Sequence, residues 1–364
     1  MKRIIAIIAI LVVAGGGYYM YSQKKAAEVA AVEAQAAAEA QAAAEALAVA
    51  EALAQECGDI TMGEFNWASG ELLANVDKII LEEGYGCNVE LIVGGTSAIF
   101  ASMDSKGVPD IAGEQWVNGV RELVDAAIAE GRLHSVNLGP ITGLGEGWWI
   151  PPYTAAAHPE LKTVLDWIER PDLFPSQEDP SKGAFVGCPA GWGCQHINNN
   201  LFVAYGMEDK GWVLVDPGSA AGLDASIAKA NERGENWLGY YWSPTSIIGK
   251  YSMQYVPFGV DFVGAEHWNA CTSQEGCADP EMTAWVKSEV FTIVTDEFMK
   301  TGGEINDYLA ARIYPGDVMG EMLVYMAEEQ AAGEDAAYEF LIQHEDLWTT
   351  WVSEEVAAKV KAAL

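Results

Sequence analysis

From Asp59 onward the chain alternates strand-like and helix-like segments, and this alternation limits the fold more than any other feature. Residues 60–65 read as a strand. Ser69 caps a helix that carries Leu72, Leu73, Val76, Ile79 and Ile80 on one face and closes near Gly84. A second strand at 89–93 leads through Gly94-Gly95 into a short helix at 97–103, and a third at 111–114 leads into a helix at 117–130. A βαβαβ run implies a parallel sheet with right-handed crossovers. Ligands of such sheets bind beyond the carboxyl ends of the strands. Trp67, the segment Gly94 to Ser97, and Trp116 all fall at those ends and are expected to share one crevice.

A second α/β unit follows, with helices expected at 159–169, 199–205 and 222–233 and strands at 184–186, 212–215 and 237–242. It opens on Glu146-Gly147-Trp148-Trp149-Ile150-Pro151-Pro152-Tyr153, which is too polar and too rich in Gly and Pro for an ordinary core strand. Its aromatics are therefore expected at a cleft, with Trp148 and Trp242 at the crevice end of this unit. Strand alternation turns only one of Trp148 and Trp149 toward the ligand. Past Met253-Gln254-Tyr255-Val256 the chain crosses back, and a strand at 289–294 and helices from about Glu304 complete the first lobe. The expected organisation is lobe 1 at 57–145 and 256–364 and lobe 2 at 146–255, with a hinge at the two crossings. Trp167, Trp192, Trp212 and Trp268 read as core or lobe-packing residues.

Ahead of this domain, Lys2 and Arg3 precede an apolar run at 4–21 that reads as a signal peptide or membrane anchor. Tyr18, Tyr19 and Tyr21 suit a membrane interface, and Val12-Val13-Ala14 before Gly15 offers a cleavage site. The expectation is a retained anchor over residues 1–25. Residues 26–56 are almost wholly Ala, Glu, Gln, Leu and Val, with Glu33, Glu39, Glu45 and Glu51 recurring every six residues. Six residues advance a helix by about 600°, so no apolar stripe survives and a coiled coil is a poor reading. A solvated helical spacer of roughly 45 Å fits.

Acidic residues outnumber basic ones 53 to 20, for a net charge of -33. Nucleic acid is excluded as a partner, since its phosphates need Lys and Arg, and docking on anionic lipid is disfavoured. The six cysteines fall as Cys57 with Cys87, Cys188 with Cys194, and Cys271 with Cys277. None has zinc-site spacing. An even count behind an export-type N-terminus favours disulfides and an oxidising compartment. A Cys57–Cys87 bond, near the amino ends of consecutive strands, closes a loop worth about 3–4 kcal/mol in the chain-entropy model. Catalytic signals are poor. His134, His158, His196, His267 and His344 are scattered, the Gly143 to Gly147 run lacks a phosphate-loop Lys, and there is no nucleophile elbow. No enzyme, metal or cofactor is expected.

Three stretches, in order, carry a family likeness: FNWASGELLANVDKIILEEGYGCNVELIVGGTSAIF, GEGWWIPPYTAAAHPELKTVLDWIERPDLF and NWLGYYWSPTSIIGKYSMQYVPF. They resemble substrate-binding proteins of glycine betaine/choline-type ABC transporters, over nearly everything from Cys57 to Leu364. The resemblance implies an α/β, two-lobed type II periplasmic-binding-protein fold in which aromatic rings enclose a trimethylammonium group. Carried over by motif, the rings are Trp67, Trp116, Trp148 or Trp149, and Trp242, with Tyr153 beside them. The implied function is capture of a quaternary-ammonium compatible solute, glycine betaine first or else proline betaine or choline, for an ABC permease of the inner membrane. Alternatives are a tethered ligand sensor of the same fold, or a binder of choline, carnitine or dimethylsulfoniopropionate. The implied location is extracytoplasmic; the anchor and spacer lie outside the resemblance, and the apolar run at 4–21 is read as the sole attachment to the membrane.

The chemistry is consistent with that implication. A quaternary ammonium has no N–H, so only ring faces and diffuse negative charge hold it, and indole is the best face. Thr96 and Ser97, with backbone N–H groups at a helix start, are the natural donors to a ligand carboxylate. Glu114 shares a side with Trp116 in a regular strand. A carboxylate there favours a pure cation such as choline over betaine.

Overall fold

The computed structural model describes Gln35 and residues 57–364. The expected anchor at 4–21 and, apart from Gln35, the spacer at 26–56 lie outside the described residues. Among the described residues no helix is long and apolar enough to cross a membrane.

Residues Gly58–Leu364 form one compact unit. Its strands are β1 (Asp59–Phe65), β2 (Asn88–Gly94), β3 (Ile111–Trp116), β4 (Leu133–Asn137), β5 (Gly145–Ile150), β6 (Gly183–Val186), β7 (Trp212–Val215), β8 (Gly239–Ser243), β9 (Gln254–Tyr255) and β10 (Val290–Thr295). They make two five-stranded mixed sheets, ordered β2-β1-β3-β10-β4 and β7-β6-β8-β5-β9. In the first, β1 runs parallel to β2 and β3, as the βαβαβ pattern requires, and β10 returns antiparallel between β3 and β4. In the second, β6 is parallel to β7 and β8 while β5 is antiparallel to β8 and β9. The chain passes from one sheet to the other between Asn137 and Gly145 and returns between Tyr255 and Val290.

The helix Ala68–Ile79 buries Leu72, Leu73, Val76 and Ile79, the face its periodicity marks, and continues as one π-turn over Ile80–Gly84. Gly84 is tight against the terminal helix Glu354–Ala363: a Cβ there would meet Val356 Cγ1 at 2.7 Å. Cys188–Cys194 and Cys271–Cys277 are disulfides, and Cys57 and Cys87 are disulfide-bonded as well.

Several sequence expectations need correction. The stretch around Trp148 and Trp149 is a strand within the second sheet, β5, and every residue from Glu146 to Ile150 is buried. Its polarity misled because Glu146 is hydrogen-bonded internally, and its glycine is required by packing: a Cβ on Gly147 would lie 2.5 Å from the Tyr255 ring. The helix expected at 159–169 shrinks to Val164–Trp167, since Thr163 and Asp166 form a capping box that sets its start. The helix expected at 199–205 begins earlier, at Cys194, directly after the disulfide loop. Strand β4 went unread because Leu133–Asn137 has no marked alternation.

One buried ion pair ties the first lobe together. Arg312 and Asp77 are both fully buried. The guanidinium also donates to Gly113 O at 3.1 Å and Thr292 Oγ1 at 2.8 Å, and Tyr308 donates to Asp77. These bonds join the helix Ala68–Ile79, strands β3 and β10, and the end of the helix Glu304–Ala311. Removing one partner strands the other charge in the interior. Arg312→Met is therefore expected to destabilise the protein by about 3–5 kcal/mol, read as a lowered denaturant midpoint; a loss below about 1 kcal/mol would show the pair to be dispensable.

Candidate functional site

The carboxyl ends of the parallel strands in both sheets meet at one cavity. Its walls are Trp67, Thr96, Trp116, Asn118 and Gly119 from the first lobe, and Glu146, Trp192, Gly193, Cys194, Tyr240 and Trp242 from the second. Topology explains the convergence. Trp67 follows β1, Thr96 follows β2, and Trp116 ends β3. Trp242 lies near the end of β8, and antiparallel pairing brings Glu146 of β5 opposite it.

The rings form a connected set. Trp67 and Trp192 meet edge to face with centroids 5.1 Å apart, and Trp192 meets Trp242 the same way at 5.2 Å. Tyr240 stacks beside Trp242 at 6.3 Å. Behind the first-lobe rings sits Glu114, fully buried. Its Oε1 accepts from the Trp67 and Trp116 indole N–H groups, each at 2.9 Å, and from Ser69 Oγ at 2.8 Å. A single oxygen thus sets the orientation of two indoles. Burial pushes the Glu114 carboxyl above the usual range, with the hydrogen bonds from Trp116, Trp67 and Ser69 and the charge of Arg312 opposing it.

The lobes touch. Trp192 Nε1 donates to Asn66 Oδ1 across the junction at 2.8 Å, and Ser97 N donates to Gly191 O at 3.4 Å. Gly119 and Gly193 pass so closely that a Cβ on Gly119 would lie 2.2 Å from Gly193 O. The cavity left between them is about 20 Å³, room for about one water molecule.

Of the residues the sequence singled out, the structure brings Trp67, Thr96, Trp116 and Trp242 into the cavity wall, with Glu114 one layer behind. It does not bring Trp148, Trp149, Tyr153 or Ser97 there. Trp148 is fully buried against Phe185, Tyr205 and Phe258, and its indole N–H is bound by Asn198 at 2.9 Å. Trp149 packs edge to face on Tyr255 and donates to Tyr241 O. Tyr153 donates to Glu235 O, away from the cavity. Trp192, read as a packing residue, lines the wall; its place inside the Cys188–Cys194 loop, preceding a helix, was the available signal. Glu146, Asn118 and Tyr240 were also missed as lining residues.

With this geometry in place, the likeness to known proteins has a physical basis. A family model described as "Substrate binding domain of ABC-type glycine betaine transport system" matches residues 58–343. The chain belongs to this family. The glycine betaine-binding periplasmic protein OusX of Dickeya dadantii is 30% identical over 107 residues, which are 29% of this chain and 31% of that protein. The chain thus matches about a third of the length of that curated relative. Among solved structures, a choline-binding protein of an ABC transporter in complex with choline superposes with a TM-score of 0.67 at 17% identity, covering 85% of this chain and 99% of that one. The glycine betaine/L-proline-binding protein ProX of Borrelia burgdorferi gives 0.65 at 18%, covering 83% and 99%. Lactococcal OpuAC with glycine betaine gives 0.60 at 16%, covering 81% and 100%. At these identities the superpositions establish the fold.

The Gly119–Gly193 approach makes closure sensitive to a single methyl. Gly119→Ala is expected to hold the lobes apart, raising the radius of gyration in small-angle scattering, at a stability loss of about 1–3 kcal/mol. An unchanged scattering profile would mean that the contact does not govern closure.

Proposed function

We propose that this protein is an extracytoplasmic solute-binding protein that captures a quaternary-ammonium compatible solute between its lobes and delivers it to an ABC permease. The observation that carries the reading is the meeting of indoles from both lobes, Trp67 and Trp116 with Trp192 and Trp242, around one cavity backed by the Glu114 carboxylate. A methylated onium offers no hydrogen-bond donor, so ring faces and negative charge are the means of holding it. Each ring contributes about 0.5–2 kcal/mol, whereas micromolar affinity needs about 8 kcal/mol net. Lobe closure supplies the remainder by excluding water from the rings. The ligand enters an open form, and the closed surface is what the permease recognises. Family membership supports the transport role and the extracytoplasmic location. The expected disulfides fit an oxidising compartment.

Calorimetric titration of the full chain with choline, glycine betaine, proline betaine, carnitine and dimethylsulfoniopropionate tests the reading directly. Trp67→Ala and Trp242→Ala should each weaken the best ligand about 2- to 30-fold. Unchanged affinity in both variants would remove the rings from the site.

A further inference from the structure

Glu146 is the feature of the cavity that ring chemistry alone does not explain. It is 8% exposed, and it lines the space directly instead of standing behind a ring. Its partners are all neutral. Tyr240 OH donates to Oε1 at 2.9 Å and Asn118 Nδ2 to Oε2 at 3.2 Å, while its own backbone N–H is held by Ser288 Oγ at 3.0 Å. Among the described residues no Lys, Arg or His lines the cavity. The one buried guanidinium among the described residues, Arg312, is committed to Asp77. A carboxylate buried among neutral donors carries a desolvation penalty that only a counter-charge removes.

We propose that Glu146 is the internal counter-charge of the bound onium, so that the site prefers a quaternary ammonium with a neutral arm to a zwitterion. The inference rests on the quaternary-ammonium reading above and deepens it. A zwitterion would bring a second carboxylate into a cavity that has one already and no cationic side chain. One of the backbone donors expected to receive it, Ser97 N–H, is occupied by Gly191 O.

A proton linkage follows. Burial raises the Glu146 carboxyl above the usual range, the bonds from Tyr240, Ser288, Trp285 and Asn118 opposing it. A cation beside it lowers it again. Below the bound-state pKa both forms hold the proton and affinity is weak. Between the two pKa values binding releases a proton, and affinity rises by up to about tenfold per pH unit. Above the free-state pKa the affinity is level. Other titratable groups on the surrounding elements are Tyr240, whose proton burial holds firmly, Glu114 behind its indoles, half-buried His196 and exposed Lys287, and Glu289, paired with Arg121.

The test is calorimetry of the full chain and of Glu146→Gln with choline and glycine betaine, from pH 5 to 8, in buffers of differing ionisation enthalpy. The parent should bind choline at least about tenfold more tightly and release a proton on doing so. Glu146→Gln should weaken choline about tenfold or more, shift glycine betaine by a clearly smaller factor, and abolish proton release. The proton count on the unmutated chain reads the same idea should the variant not fold. An unchanged choline-to-betaine ratio in the variant, or no proton release from the parent across the range, overturns the counter-charge while leaving the ring site intact. If neither ligand binds the parent, the quaternary-ammonium reading fails and takes this inference with it.

Discussion

Burial of carboxylates away from water, each held by donors of a chosen kind, is the constraint on which this molecule depends. Asp77 is answered by a guanidinium, Glu114 by two indoles and a hydroxyl, and Glu146 by a phenol and an amide. The first case is structural: an ion pair whose guanidinium also donates to Gly113 O and Thr292 Oγ1, while Arg312 Nε is left without a partner. The other two lie at or next to the cavity; the charge of Arg312 reaches Glu114, whereas the groups bonded to Glu146 are all neutral. A protein with a net charge of -33 has its negative charge mostly in water, and these few desolvated groups behave differently from the rest.

The rings are positioned by the same groups. Because one Glu114 oxygen accepts both indole N–H groups, the faces of Trp67 and Trp116 are set by hydrogen bonds and not only by packing. On the opposite wall Tyr240 is held by Glu146, and Trp192 is held by the disulfide loop and by Asn66 of the facing lobe. Each wall is therefore set mostly by polar contacts within its own lobe, and the Trp192–Asn66 and Asn118–Glu146 bonds cross between the two. Lobe separation and ring placement are consequently linked, since parting the lobes breaks the Trp192–Asn66 bond and the close passage of Gly119 over Gly193.

Much of this was legible in the chain. The strand–helix alternation from Asp59 and the apolar face of the first helix announced a parallel sheet, and its carboxyl edge announced where Trp67, Thr96 and Trp116 would meet. Trp242 was legible for the same reason. Trp148 and Trp149 were misread because a strand rich in Gly and flanked by prolines resembles a loop when its pairing partners are unknown. Once β8 and β9 flank it, the same residues are core. Trp192 was misread in the opposite sense, as a packing residue, because its place in a disulfide loop before a helix does not say what that loop faces.

By itself the sequence determined the α/β class, the disulfide pattern of the two short loops, the strand ends that bear rings and the strongly acidic net charge. These are properties of neighbours in the chain, where alternation, capping and spacing act over a few residues. Only the tertiary structure decided which tryptophans face one another, that Glu114 binds two of them at once, and that Glu146 lies in the wall without a cationic partner. Those outcomes depend on pairs more than forty residues apart, such as Trp67 with Glu114, and their energies come from desolvation, which exists only after the lobes have closed around them.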